Sequence, residues 1–154
     1  MTTTGVFDTT LTVLGNETDT PSVLPYLRNG QGPYQVEGHD FTAFDLAGVN
    51  FVGYRLLNCR FNRADLCKSD FAGAYIDSCE FVQANLLRAN LQRAVIVNCG
   101  FARADLREVF GPTVAFSMCD FTAANFWAAR IPQRSFTDCW ANADQFAQLD
   151  SRVQ

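Results

Sequence analysis

From Phe41 onward a large apolar residue returns at every fifth position. The series runs Phe41, Leu46, Phe51, Leu56, Phe61, Leu66, Phe71, Ile76, Phe81 and Leu86, then Leu91, Ile96, Phe101, Leu106, Gly111, Phe116, Phe121, Phe126, Ile131 and Phe136. Only Gly111 breaks it. The residue two before each of these is small in most pentads, as in Cys59, Ala64, Ser69, Ala74, Cys79 and Ala84. Between the two stands a polar residue in many cases (Asp65, Asn85, Asp105). A period of five matches neither a helix nor a plain strand. It predicts a chain that turns a corner every five residues, with one large and one small side chain facing inward on each side.

A second period counts the sides. Cys59, Cys79, Cys99, Cys119 and Cys139 recur twenty residues apart, which is four pentads. A residue returning after four sides stacks on itself one coil later, so each coil is square. Neighbouring coils then pair as strands about 4.8 Å apart, and five coils make a rod on the order of 25 Å long. Other columns agree: Phe41, Phe61, Phe81, Phe101 and Phe121 form one file, and Ala64, Ala84, Ala104 and Ala124 another. Each coil buries its apolar residues only against its neighbours, the one-dimensional logic of repeat proteins.

Segments such as Ala64-Asp65-Leu66-Cys67-Lys68 and Ala84-Asn85-Leu86-Leu87-Arg88 carry an A(D/N)LXX pattern. In this the chain resembles the pentapeptide repeat protein family, over about residues 39–140. The resemblance implies an all-β fold, a right-handed quadrilateral β-helix. It does not single out a function, because the family includes proteins that protect DNA gyrase by imitating DNA, secreted bacterial effectors, and many members with no known role. It also implies that a homodimer through the C-terminal end is to be considered, because some members pair there.

Three segments are expected: a non-repeat N-terminal arm (1–38), the solenoid (39–140) and a C-terminal cap (141–154). The arm is rich in Thr, Gly and Pro and holds acids with Arg28 as their sole counter-charge. It is expected to cover the first coil, whose bare strand edge would otherwise invite association. At Phe110-Gly111-Pro112 the missing large residue predicts a local bulge. Residues 141–149 read as a short capping helix that sets Phe146 and Leu149 on the last coil; these two are also the candidate C-terminal interface.

Composition narrows the function. Fourteen of the aromatic residues are Phe, which fills an interior and offers no polar handle. The net charge of −4 gives no electrostatic reason for direct nucleic-acid binding. No apolar run approaches a membrane span, and MTTTGVFDTT lacks the pattern of a signal peptide. A cytoplasmic setting is expected, with a secreted effector as the alternative.

The five-cysteine column is the most tempting chemistry. Cys is, however, a small inward residue that substitutes for Ala, and stacked side chains pointing one way are too far apart for disulfides. A straight file also cannot surround zinc. Cys67 falls at an outward position and is the thiol expected to react. His39, the sole histidine, heads the cysteine column above Cys59, but a Cys–His pair inside a packed core has no substrate access. No phosphate loop, dinucleotide turn or carboxylate cluster is present. No catalytic residue, cofactor or metal is therefore expected.

Function in such a rod must lie on its walls. On the side carrying Leu56, Ile76, Ile96 and Phe116, the outward residues include Leu57, Tyr75, Val95, Val97 and Met118, with few charges. Apolar residues placed in water mark a contact surface, so this wall is expected to take a protein partner whose identity the sequence does not give. The alternative is a DNA mimic that binds and protects a gyrase or topoisomerase. It would need a continuously negative wall. The column Asp45, Asp65, Asn85, Asp105, Asn125 is flanked by Lys68, Arg88 and Arg107, and from residue 46 onward ten acids face eleven Lys or Arg.

Overall fold

The computed structural model describes residues 12–14, 27–28 and 34–149. The chain winds as a right-handed, four-sided parallel β-solenoid of about five coils. One side forms a parallel seven-stranded sheet in simple chain order. Its strands are β1 (Thr12–Leu14), β2 (Tyr34–Glu37), β3 (Arg55–Leu57), β4 (Tyr75–Asp77), β5 (Val95–Val97), β6 (Ala115–Ser117) and β7 (Phe136–Thr137). From β2 onward the register steps by twenty residues: Val36, Leu56, Ile76, Ile96, Phe116 and Phe136 stand above one another. The other three sides are joined by single parallel bridges at the same step, such as Asp65 to Asn85 and Asp70 to Asn90.

Corners arise every five residues because one residue per corner takes a left-handed backbone. Arg63, Lys68, Arg88, Arg93 and Arg103 have φ between 57° and 59°, a region that disfavours a Cβ and holds only where context enforces it. Three corners of each coil are closed by a backbone bond, as when the Ala64 N–H donates to the Phe61 carbonyl at 3.0 Å and the Ala74 N–H to Phe71 at 2.9 Å. With a positive φ at the third residue, these are type II turns.

Inside, the predicted Phe file is a face-to-face stack. Ring centroids of Phe41, Phe61, Phe81, Phe101 and Phe121 lie 4.8–5.0 Å apart and within 13° of parallel. Isolated rings prefer an offset or edge contact; here the strand spacing imposes the stack. Edge contacts come from the adjoining sides, and they change place along the rod. Phe51 and Phe71 meet the stack edge-on in the first two coils, and Phe116 and Phe136 do so in the last two. As one inward column shrinks (Phe51, Phe71, Leu91, Gly111), its neighbour grows (Leu56, Ile76, Ile96, Phe116). The bore stays filled.

The bulge expected at Gly111 is absent. Gly111 keeps the ladder, donating to the Arg130 carbonyl at 3.1 Å, and Phe110 bridges both Asn90 and Arg130 in register. The reason is local compensation. A Cβ on Gly111 would lie 2.9 Å from Val114 Cγ1, so Val114, where the two preceding coils have Ala74 and Ala94, already occupies the space.

Both ends are covered. The parallel sheet begins upstream of residue 39, since β2 pairs with β3 and β1 pairs with β2. Leu27 is fully buried against the core and Arg28 donates to the Asp45 carbonyl at 3.3 Å. The described parts of the N-terminal segment thus sit on the first coil; the rest of that segment lies outside the described residues, as do 150–154. At the other end α1 (Ala143–Phe146) is a single turn with Asn142 as its N-cap. Buried Gln145 donates through Nε2 to the carbonyls of Phe121 (2.6 Å) and Ala124 (2.8 Å). Gln148 Oε1 accepts the Phe126 N–H at 3.1 Å. These two glutamines supply partners that a sixth coil would have supplied.

Candidate functional site

The β3–β6 wall is built from strands whose central residue points inward and whose flanks point out. One outward column reads Arg55, Tyr75, Val95, Ala115, and the next reads Leu57, Asp77, Val97, Ser117. Val95 is 44% exposed, while Leu57, Tyr75 and Val97 are half-buried among their neighbours. The five predicted residues do not form one patch. Leu57, Tyr75, Val95 and Val97 share the sheet. Met118, 45% exposed, sits in the left-handed corner column beside it, below Asn98. Asp77 separates Leu57 from Val97.

The polar groups here are tied down. The Arg55 guanidinium lies 5.0 Å over the Tyr75 ring, a cation–π contact. Asp77 accepts from the Tyr75 hydroxyl (3.3 Å), the Ser78 hydroxyl (2.9 Å) and the Asn98 amide (3.3 Å). The result is a rigid, mostly apolar strip around Val95.

The cysteine column is in place, and all six cysteines are free. Cys59, Cys79, Cys99 and Cys119 are buried, and Cys139 is half-exposed at the open end. Their role exceeds filling space. At this corner no turn bond closes the backbone; instead the N–H of Cys59 donates to Cys79 Sγ at 3.3 Å and that of Cys79 to Cys99 Sγ at 3.4 Å. Each thiol in turn reaches the carbonyl two residues before it, at 3.1–3.4 Å. Ala could fill the volume, but it could not accept the buried N–H. Hydrogen bonding to neighbouring thiols, and then burial, pushes the Cys79 and Cys119 thiols up, the same thiol-to-thiol bonding pulls Cys59 and Cys99 down, and burial raises Cys139. Burial is what keeps reagents from the four inner thiols. His39 is fully buried one coil above Cys59, its ring 5.8 Å from Phe41. Among the described residues no group of His, Cys, Asp or Glu is arranged to hold a metal, and no helix is long and apolar enough to cross a membrane.

The Asp/Asn column also has structural work. Oδ1 of Asp45, Asp65, Asn85, Asp105 and Asn125 each accepts the backbone N–H two residues on. The Asn85 amide donates to Asp65 at 3.0 Å, and Asn90 to Asp70 at the same distance. Arg107 clamps Asp105 at 2.6–3.0 Å and holds its carboxyl below the usual range. Arg88 does likewise for Glu108 at 2.7 Å.

Phe146 and Leu149 are half-buried, packed against the last coil, with the Phe146 ring 5.0 Å from Phe136. They close the rod and present little surface. The exposed aromatics at this end are ones the five-residue rule places outward but that were not singled out: Trp127 (61% exposed), Trp140 (62%) and Phe110 (39%). Their signal was available, since a Trp at an outward position stands in water by construction.

The geometry of the repeat agrees with comparisons to known proteins. Residues 45–81 and 77–110 match the family model for Pentapeptide repeats (8 copies). In fold and repeat the solenoid is similar to the pentapeptide-repeat β-helix. Among solved structures it is similar to a pentapeptide repeat protein from the Arabidopsis thaliana thylakoid lumen, at 24% identity and a TM-score of 0.54, over 69% of this chain and 74% of that one. HetL, a pentapeptide repeat protein involved in heterocyst differentiation regulation from the cyanobacterium Nostoc sp. strain PCC 7120, matches at 20% identity and a TM-score of 0.47, over 77% of this chain and 59% of that one. QnrB1, a plasmid-mediated fluoroquinolone resistance protein, matches at 15% identity and a TM-score of 0.33, over 80% and 84% respectively. No curated protein sequence matches. At these identities the likeness speaks for the fold of the repeat and for nothing finer.

Proposed function

We propose that this pentapeptide-repeat chain is a non-catalytic docking module that binds a protein partner on the β3–β6 wall. The observation that supports it is Val95, 44% exposed at the middle of a strip with Tyr75, Val97 and Leu57. The strip lies on strands held by ladder bonds above and below, so little conformational entropy is lost when a partner meets it. Replacing Val95 and Val97 together by Asp puts two charges at the centre of the contact, where a desolvated charge opposes binding strongly. The double variant should keep its far-UV dichroism and lose association, read by sedimentation and by capture of a cross-linked partner. Unchanged association in a folded double variant removes the proposal.

A homodimer through the C-terminal end is the neighbouring possibility, and it would have to use Trp127 and Trp140, since Phe146 and Leu149 are engaged in the cap. The topoisomerase-protecting reading draws less support. Asp65 and Asp105 are bonded to the chain's own amides and to Asn85 and Arg107. A column with two neutral Asn (Asn85 and Asn125) and with Asp105 paired to Arg107 imitates a phosphate backbone poorly. The chain at micromolar concentration should leave gyrase supercoiling unaltered, with or without a quinolone.

A further inference from the structure

The exposed aromatics of the last two coils carry an inference independent of the β3–β6 wall. Glu108, Phe110, Trp127, Ala128 and Arg130 line a cleft of about 480 Å³ at one corner of the rod, opposite in chain position to the β3–β6 strip.

Two departures from the repeat create it. Phe110 stands in a column that otherwise reads Asn50, Asp70, Asn90, Arg130, and Trp127 in one that reads Ala47, Cys67, Leu87, Arg107. Both aromatics are therefore at outward sites where earlier coils keep polar or smaller residues, and both stay exposed. Their backbone is fixed by the ladder: the Glu108 N–H donates to the Trp127 carbonyl at 3.0 Å, and the Arg130 N–H to Val109 at 2.8 Å. Charge completes the picture. Glu108 is taken by Arg88 and Asp105 by Arg107, whereas Arg130 has no ion pair or side-chain hydrogen bond among the described residues.

The geometry points to this cleft as a binding site for an acidic peptide segment of a partner protein: a carboxylate on the Arg130 guanidinium, and an adjacent aromatic or aliphatic side chain between Phe110 and Trp127. Arg and Trp held on a rigid frame around a concavity are the residue types that dominate binding energy at interfaces. Arg also offers a planar fork that matches a carboxylate. With Arg88 and Arg107 already engaged, a cationic segment finds no free acid here and meets Arg130 instead.

The test is selection of a random peptide display library on the full chain, run in parallel on Trp127→Ala, Arg130→Ala and Arg130→Glu. Both residues replaced are exposed, and unchanged dichroism checks the fold of each variant. The parent should enrich peptides with Asp or Glu beside an aromatic or aliphatic residue, and Arg130→Glu should lose them. A synthetic peptide of the enriched sequence, titrated against the fluorescence of Trp127 in a Trp140→Phe background, should bind about tenfold or more weakly to Arg130→Ala. It should also weaken as salt is raised. Failure to enrich any sequence, enrichment without acids, or enrichment by Trp127→Ala and Arg130→Ala as strong as by the parent overturns the inference.

Discussion

If Val114 fills the space left by Gly111, then adding a side chain at Gly111 should be harmful only while Val114 is present. A Cβ at 111 would lie 2.9 Å from Val114 Cγ1, 3.3 Å from its Cβ and 3.4 Å from Leu91 Cβ. The first contact is closer than packed carbons allow, so Gly111→Ala forces Val114 or the backbone aside at about 1–2 kcal/mol. Loss of glycine's freedom in the unfolded chain offsets about 0.4–1 kcal/mol of that. Val114→Ala alone removes two buried methyl groups and opens a void, for about 2 kcal/mol. In the double variant the colliding methyl is gone, and the new Cβ enters the void. There Gly111→Ala should be neutral or stabilising by up to about 1 kcal/mol.

The quantity to measure is the coupling, expected at about 1–2 kcal/mol in favour of the double variant. Equilibrium unfolding in urea of the parent, both single variants and the double supplies it. Dichroism follows the whole rod and tryptophan fluorescence its C-terminal coils, because both tryptophans lie there; coincident transitions justify a two-state treatment. Equal cost of Gly111→Ala in both backgrounds would refute the compensation and return the expected bulge to consideration.

Other outcomes follow from the same coordinates. Thiol labelling of the folded chain should reach Cys67 and, more slowly, Cys139, with the four buried ladder thiols reacting only on unfolding; rapid labelling of all six would contradict the ladder. Cys79→Ala should lower stability by about 1–3 kcal/mol by leaving the Cys59 N–H without its acceptor, and Cys79→Ser should recover part of it in a urea titration. The carboxyls of Asp40, Asp105 and Glu108 are held low by Thr42, Arg107 and Arg88 respectively. A depressed carboxylate stabilises the fold above its unfolded pKa and ceases to as pH falls through its folded value. Stability should thus decline below about pH 4, and a midpoint unchanged or rising on acidification would count against these pairs.

The sequence predicted the rod because its inward positions are chosen by one criterion, size, and that criterion repeats. Twenty-residue spacing of Cys59 through Cys139 was enough to count the sides. What it did not disclose depends on contacts between coils. Gly111 looked like a defect because its filler, Val114, belongs to another pentad's small position. Cys looked like Ala because the orphaned N–H that it serves is visible only once the missing turn bond is seen. The N-terminal boundary was placed at residue 39 because β2 (Tyr34–Glu37) precedes the strict rhythm, although Val36 stands in register over Leu56. Four of the five wall residues share the sheet, while Met118 falls on the corner because the left-handed residue there turns its side chain off the strand.

Both proposed binding sites lie at outward positions, and the same division explains why. Inward columns and the Asp/Asn positions are constrained by stacking and by their own backbone amides, so substitutions there are answered in stability. The sites just after the large residue, and the corner residue beyond it, face away from the core, and their bonds are surface ones such as Arg107 to Asp105 and Arg88 to Glu108. Trp127 occupies such a place, whereas Val95 and Phe110 stand just before the large residue, where Asp65 and Asn90 accept a backbone amide and an apolar side chain gives that bond up. Water disfavours each of them, and no core contact compensates for their exposed area. A solenoid of this kind separates the two demands by position within the pentad, which makes an exposed aromatic or β-branched residue on its wall a better guide to binding than any buried feature it contains.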